Sequence, residues 1–152
     1  MEVIPHQGVG ALWFGMRRED VEAELGAPER SEHETWDDGT DSETWHYRLS
    51  RLELGFDSIC DYRLCRITSY HPHTIIRGFN PIGLAQGFLL QRYPHLKLRA
   101  DGGEIGSNYV DEILDLSFWV ERDGVKQVTA YPEIDIRTGD YVWPELFQAQ
   151  DD

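Results

Sequence analysis

Apolar side chains recur along this chain with two different spacings, and each spacing predicts its own kind of element. Leu52, Leu54 and Phe56 alternate with polar residues, as expected for a strand that has one face against a core. Apolar residues between 16 and 25 recur instead near the spacing of helical turns. Gly26-Ala27-Pro28 follows directly, and this combination predicts the end of a helix.

The same order of elements occurs twice along the chain. A helix over about 15–25 precedes a polar loop and paired strands, and a helix over about 84–93 precedes a second such set. Leucines and a phenylalanine repeat at a near-constant offset, so that 114–118 corresponds to 52–56. The second set contains Asp123-Gly124 between two alternating apolar runs, which is a strong hairpin signal. We therefore predict a single domain, 1–152, with internal repeats of approximately 9–72 and 80–132 and a C-terminal tail, 133–152.

Helices beside mainly antiparallel strands define the α+β class. We predict that the two helix–loop–β-hairpin repeats form one mainly antiparallel sheet and that the helices cover one face of it. The other face of the sheet would then be open to solvent or to a partner, because antiparallel sheets tolerate one wet side.

The composition favours a soluble, acidic protein with one compact core. The chain has 152 residues, of which 40% are hydrophobic, and a formal net charge of −14. This charge would repel nucleic acid and anionic membranes and would attract a basic protein partner. No segment is apolar for long enough to span a bilayer, and the first residues lack the features of a secretory signal. We expect a cytoplasmic protein that is a monomer or a weak homodimer.

The acidic residues concentrate at equivalent places in the two repeats, between the helix and the paired strands. The segment 29–43 contains seven acids and one base, and the segment 101–115 contains five acids and no base. Trp36 lies among the first group, where no periodic pattern predicts its burial. Acids steer a basic partner and a rigid aromatic side chain anchors it. The predicted partner-binding residues are Glu32, Glu34, Trp36, Asp37, Asp38, Asp41, Glu43, Asp101, Glu104, Asp111 and Glu112.

Candidate chemistry is sparse. Cys60, Cys65, His71 and His73 place four zinc-type ligands within fourteen positions, but the C-x₄-C spacing differs from the tight C-x₂-C of zinc ribbons. We favour structural cysteines and keep a metal site as the alternative. No serine lies in a nucleophile elbow, and no glycine-rich segment has the strand and helix that a phosphate loop needs. The sequence therefore predicts no catalytic residues, no cofactor and no enzymatic activity.

Several of these segments together resemble a known class of proteins. The residues Trp13-Phe14-Gly15-Met16, Leu25-Gly26-Ala27-Pro28 and Trp45-His46-Tyr47, followed by a Leu-x-Leu-x-Phe strand, resemble small bacterial immunity proteins of polymorphic and contact-dependent toxin systems. The repeat is also similar to the tandem repeats of beta-lactamase inhibitory proteins. The resemblance covers most of 9–132, and the second copy departs from it, with Leu84 in place of Met16. It implies a protein that binds and blocks another protein.

The leading hypothesis is an immunity-type inhibitor that neutralises a basic toxin domain, with a nuclease as one candidate, through its acidic, aromatic-flanked loops. One alternative is a small enzyme or ligand-binding protein that uses the cleft between the repeats. A second alternative is a structural subunit whose open sheet face associates with itself.

Overall fold

The computed structural model describes residues 1–144, and in this part of the chain β-strands predominate. It contains fourteen strands, two α-helices and a 3₁₀ turn over Ser58–Cys60. In chain order the helices and strands are β1 (Glu2–Ile4), β2 (Gly8–Val9), β3 (Leu12–Trp13), α1 (Arg18–Leu25), β4 (Arg30–Thr35), β5 (Asp41–Tyr47), β6 (Leu52–Asp57), β7 (Leu64–Ser69), β8 (Ile75–Ile76), α2 (Gln86–Arg92), β9 (Lys97–Asp101), β10 (Ser107–Asp111), β11 (Leu116–Glu121), β12 (Gly124–Ala130), β13 (Glu133–Ile134) and β14 (Tyr141–Val142).

The central feature is an eight-stranded sheet with the strand order β4-β5-β6-β7-β12-β11-β10-β9, in which every neighbouring pair is antiparallel. It consists of two four-stranded meanders, each preceded in the chain by a helix. The meanders join where β7 pairs with β12, through partners such as Thr68 and Thr129. Because equivalent strands pair antiparallel at this junction, the order of strands is the same when it is read from either edge.

The alternating leucine and phenylalanine positions build the core on one face of this sheet. Leu54 and Phe56 on β6 and Leu116 and Phe118 on β11 are fully buried. The predicted hairpin of β11 and β12 is confirmed, but its turn residues are Arg122 and Asp123, and Gly124 is the first residue of β12, opposite Glu121. The period-two pattern therefore locates the central strands, because burying one face requires apolar side chains at every second position.

The predicted α+β class, with helices covering one face of the sheet, is wrong. The two helices have eight and seven residues, and each contributes only one fully buried side chain, Val21 in α1 and Leu89 in α2. Much of the cover comes instead from a small second sheet with the order β3-β2-β1-β8, whose Val3, Val9 and Leu12 belong to the same core. The predicted helices exist, and α1 ends at Gly26 with a positive φ of 80°, but they are too short to form a layer.

The predicted polar loop after the first helix is also wrong, because most of it forms the hairpin of β4 and β5. Every residue of β4 is exposed. An edge strand without an apolar face gives no hydropathy signal, since its pairing rests on backbone hydrogen bonds and on polar cross-strand contacts such as that of Thr35 with Asp41. Charged edge strands are common because they discourage pairing with other chains.

The linker and the tail also contain strands. β8 lies in the linker between the predicted repeats and pairs in parallel with β1. In the predicted tail, β13 pairs with β14, and residues 145–152 lie outside the described part of the chain. Among residues 1–144, neither helix has the length and apolar character needed to cross a bilayer.

Candidate functional site

The eight-stranded sheet has one apolar face and one polar face. Strand register assigns the alternate positions that point away from the core, such as Thr44 opposite Gly55 and Glu53 opposite Thr68. We call this surface the polar face. It carries Glu32, Glu34, Ser42, Thr44, His46, Glu53, Asp57, Arg66, Thr68, Asn108, Ser117, Trp119, Gln127 and Thr129.

The acidic hairpin, residues 30–47, forms one edge of this face. Glu32 lies between two bases, with its Oε1 2.7 Å from Arg30 Nη2 and 3.3 Å from His46 Nε2. Glu34 lies two positions further along the same exposed strand, on the same face as Glu32. Because side chains two positions apart on a strand point to the same face, both predicted glutamates lie on the polar face.

The turn of the acidic hairpin presents an aromatic side chain among carboxylates. Trp36 is 51% exposed, although isolated tryptophans are usually well buried. Asp37 and Asp38 follow it and are also exposed. Asp38 Oδ1 accepts the backbone N–H of Thr40 at 2.9 Å, and this hydrogen bond lowers the pKa of Asp38 below its usual range. The hydrogen bond thus stabilises the turn, and the Trp36 indole remains half exposed to solvent.

Two other predicted acids of this segment are engaged within the protein. Asp41 accepts hydrogen bonds from the hydroxyls of Thr35, at 2.7 Å, and Tyr62, at 3.2 Å, and the Thr35 hydroxyl is the main cause of its lowered pKa. Glu43 lies on the neighbouring strand β5 and faces the opposite side of the sheet from Glu32. Its carboxylate accepts from Arg18 of α1 at 2.8 Å and from the Trp45 indole at 2.6 Å.

The second acidic segment is organised differently. Asp111 is 3% exposed, and its Oδ1 accepts the backbone N–H groups of Ile113 and Leu114 at 2.9 and 3.0 Å. Glu112 forms ion pairs with Lys97 and Arg99 of β9. Glu104 is exposed in the turn between β9 and β10. Asp101 ends β9, and its side chain lies outside the described part of the structure.

The structure does not bring the two predicted acidic segments together. β4 and β9 are the two edges of the sheet, and seven strand spacings of about 4.8 Å place them up to about 34 Å apart along it. Their strands also run in opposite directions, so that the turns at 36–40 and 102–106 lie at opposite ends as well as opposite edges. The two acidic turns occupy diagonal corners, and the polar face lies between them.

The four candidate metal ligands are likewise divided. Cys60 and Cys65 are both buried and free, and they lie beside Asp57. The rings of His71 and His73 contact each other at 5.7 Å between centroids, next to the N-terminus, whose amino group donates to His73 O at 3.3 Å. The sequence had suggested that the two cysteines and the two histidines form one group. In the structure the cysteines cluster with Asp57 instead.

Arg66 and Trp119 are two of the polar-face residues that were not predicted from the sequence. Arg66 lies across Gly55, where a side chain would collide with its guanidinium, and its Nη2 donates to Thr44 Oγ1 at 3.0 Å. Trp119 on β11 is half-buried, and its indole donates to Glu121 at 2.9 Å. A glycine inside a strand often marks the close approach of another group, so Gly55 was a usable signal for Arg66.

The fold and the polar face define a mainly antiparallel β protein built from two four-stranded meanders, each following a helix. A DUF4309 family protein (YjgB) from Bacillus subtilis is similar in structure, with a TM-score of 0.52 and 18% identity over 82% of this chain and 84% of that one. This similarity concerns the fold alone.

A second structure is an extracellular protein containing an SCP domain from Bacillus anthracis, with a TM-score of 0.46 and 12% identity over 86% of this chain. The match spans about half of that protein, 49% of its chain. No protein-family model and no curated protein sequence matches the chain.

Proposed function

We propose that this chain is an immunity-type inhibitor that acts in the cytoplasm by binding a basic protein, with a toxin domain such as a nuclease as its target. The observation that carries the proposal is the turn of the acidic hairpin. Trp36 is half exposed there and is bordered by the exposed Asp37 and Asp38. Exposed tryptophan at a charged edge is typical of an anchoring residue in a protein interface.

The charge of the chain supports a basic partner. With a net charge of −14, long-range attraction raises the rate of encounter with a cationic protein. The carboxylates of Glu34, Asp37 and Asp38 have no ion-pair partner among the ion pairs described for residues 1–144, so they remain available to lysine and arginine side chains. Glu43 and Asp111 are held by internal contacts, and we propose no partner contact for them.

The geometry narrows the proposed surface to one corner and the adjacent polar face. A partner that covers about 800 Å² on each side could contact the acidic hairpin and the neighbouring strands β5 and β6. It would not reach the turn at 102–106 without spanning the whole sheet. We therefore propose Glu32, Glu34, Trp36, Asp37 and Asp38 as the main contacts and leave Glu104 outside the interface.

Co-expression with the product of the adjacent gene tests the proposal. We expect this chain to relieve growth inhibition by a basic toxin and to form a complex whose association rate falls about tenfold when salt rises from low to physiological concentration and above. Asp37→Lys combined with Trp36→Ala should abolish protection while the melting temperature stays unchanged. Glu104→Lys, a matched charge reversal at the opposite corner, should protect like the unaltered chain. Loss of protection by both variants, or salt-independent association, would contradict the proposal.

Ligand binding is a second candidate, favoured by one cavity. An open pocket of about 340 Å³ lies between the linker, the end of α2 and the β10–β11 turn. Its lining includes the basic Arg77, Arg92 and His95 and also Asp111, whose Oδ1 accepts two backbone N–H groups. Basic groups converging in an acidic protein would suit a small anion. The junction of the two meanders, in contrast, is closed by the pairing of β7 with β12. A rise in melting temperature with inorganic phosphate that Arg77→Ala removes would support this candidate, and no rise would oppose it.

A further inference from the structure

The end of β6, the 3₁₀ turn and the start of β7 bring three metal-binding side chains together. One ligand atom from each of Asp57, Cys60 and Cys65 lies within 4.8 Å of the other two. Cys65 Sγ is 3.5 Å from Asp57 Oδ2, and both sulfur atoms belong to buried residues, Cys60 at 4% exposure and Cys65 at 3%. Two thiols and a carboxylate that converge in this way form a preassembled three-ligand set.

The spacing of these atoms is close to that of a tetrahedral zinc site. Zinc–sulfur bonds of about 2.3 Å and zinc–oxygen bonds of about 2.0–2.2 Å place ligand atoms about 3.5–3.8 Å apart. The observed upper limit of 4.8 Å therefore requires movements of roughly 1 Å, which side-chain rotation can supply. Thiolate ligands select thiophilic d¹⁰ ions rather than magnesium or calcium, which prefer oxygen ligands.

Charge balance favours a divalent ion at this place. Two thiolates and one carboxylate would bring three negative charges together, and Zn²⁺ would leave one. Arg66 Nη2 lies 4.0 Å from Asp57 Oδ1 and supplies the remaining positive charge. Ser42 Oγ donates to the same Asp57 oxygen at 2.6 Å and so fixes the orientation of the carboxylate, leaving Oδ2 towards Cys65.

The surface beside Cys60 provides both access and room for a fourth ligand. An open depression of about 490 Å³ is lined by Cys60 together with Asp61, Gly139, Asp140 and Tyr141. Tyr141 lies on β14 and lines this depression beside Cys60, and its ring stacks on Trp143. The C-terminal hairpin thus lies against the cysteine that an incoming ion would meet first.

We propose that Asp57, Cys60 and Cys65 bind one thiophilic divalent cation, zinc above all, with the fourth position open to water or to a second molecule. His71 and His73 are not ligands in this proposal. The site does not rest on the proposed inhibitor function. It borders the proposed interface, because Asp57 lies on the polar face and pairs with Ser42 of the acidic hairpin. A structural role is expected, in which the ion ties the β6–β7 connection together beneath the C-terminal hairpin.

The test uses the full chain, kept reduced with a phosphine and freed of metal by dialysis against a chelator. Zinc chloride is then added alone, and bound zinc is measured by equilibrium dialysis with mass-spectrometric metal analysis. We expect one zinc per chain. Cobalt added in its place should give thiolate-to-metal charge-transfer absorption and the strong visible bands of tetrahedral coordination. The cobalt spectrum needs no variant, so it does not depend on whether a substituted chain folds.

Variants assign the ligands. Cys60→Ser and Cys65→Ser should each lower zinc affinity at least about 100-fold, and Asp57→Asn at least about tenfold. The double variant His71→Ala/His73→Ala is the matched control and should bind zinc like the unaltered chain. Circular dichroism checks the fold of each variant. Failure of the reduced chain to bind zinc, a cobalt spectrum without sulfur charge transfer, or loss of zinc in the histidine variant would overturn the proposal.

Two neighbouring thiols can form a disulfide instead of binding zinc, and the same samples distinguish the two outcomes. Titration of free thiols before and after zinc addition should give two reactive thiols without metal and protection of both with it. A chain that holds a Cys60–Cys65 disulfide in the absence of reductant, and binds no zinc after reduction, would also overturn the proposal. Partner binding measured with and without zinc then separates this site from the inhibitor function.

Discussion

The acidic hairpin and the β9–β10 hairpin occupy equivalent corners of the sheet but use their acids differently. In the acidic hairpin, Glu34 and Asp37 extend into solvent, and an exposed tryptophan lies between them. In the second hairpin, Asp111 caps a turn inside the protein and Glu112 is neutralised by two bases of the neighbouring strand. Equivalent position within a repeated fold therefore does not imply equivalent exposure of charge, and the comparison favours one corner as the interaction surface.

The largest expected effect tests whether the two halves share their core equally. Phe56 and Phe118 are both fully buried, and each contacts one aromatic ring at 4.9 Å between centroids, Trp45 and Tyr93 respectively. Replacement of either by alanine leaves a cavity and should lower the free energy of unfolding by about 3–5 kcal/mol. Urea denaturation measures both. A loss below about 1.5 kcal/mol for one of them would mean that the halves are not equivalent in packing.

The next effect separates the two hairpins. Asp111→Ala leaves two backbone N–H groups without their acceptor in a buried place and should cost about 1–3 kcal/mol. Asp37→Ala, in the exposed turn of the acidic hairpin, should leave the unfolding midpoint unchanged. Thermal and urea unfolding of the two variants provide the measurement. Equal losses would show that the acids of both hairpins are structural.

A smaller effect divides the acidic hairpin itself. Glu43 is half-buried and bonded to Arg18 and Trp45, so Glu43→Gln should cost about 0.5–1 kcal/mol after allowance for solvent at the exposed Arg18. Glu34→Gln removes an outward carboxylate and should leave stability unchanged. The effect on association with a basic partner should be the opposite: the association rate should fall with Glu34→Gln and stay unchanged with Glu43→Gln. A lower association rate for both variants would mean that the core-facing side of the hairpin, with Glu43, also contacts the partner.

The smallest effect concerns acid titration. The Thr35 hydroxyl lowers the pKa of Asp41, so this group stabilises the fold at neutral pH and loses its contribution as the pH falls through its folded pKa. Burial raises the pKa of Asp115, which contacts His6 at 2.9 Å, so its contribution is complete in acid and is lost as the pH rises through its folded pKa. Carboxyl-carbon NMR titration should place Asp115 above Asp41. The reverse order would contradict the packing described for both.

Sequence reasoning located the elements whose burial requires a periodic pattern of apolar residues. Leu52, Leu54 and Phe56 predicted β6, and the Asp-Gly turn predicted the β11–β12 hairpin, because both depend on one buried face and a tight turn. β4 has no such pattern, since none of its side chains is buried. The helices were predicted in the right places but given too large a role, because length and depth of burial depend on what the rest of the chain packs beside them.

The candidate site was predictable only in part. Local composition was enough to select the exposed residues Glu32, Glu34, Trp36, Asp37 and Asp38, whose role as partner contacts stays a prediction. The engagement of Glu43 with Arg18 and the burial of Asp111 required the structure, because both involve hydrogen bonds and packing that composition does not encode. The cysteines were visible in the sequence, whereas their association with Asp57 depends on how β6 returns into β7.

The sequence by itself determined the charge of this protein, its repeated apolar pattern and the concentration of acid in two segments, since each is a property of residue order alone. Tertiary structure alone decided that the turns at 36–40 and 102–106 lie at diagonal corners, because the pairing of β7 with β12 joins the meanders edge to edge in opposite directions. It also decided which carboxylates face solvent. Strand register directs Glu34 outwards and Glu43 towards Arg18, and no local pattern of charges distinguishes the two.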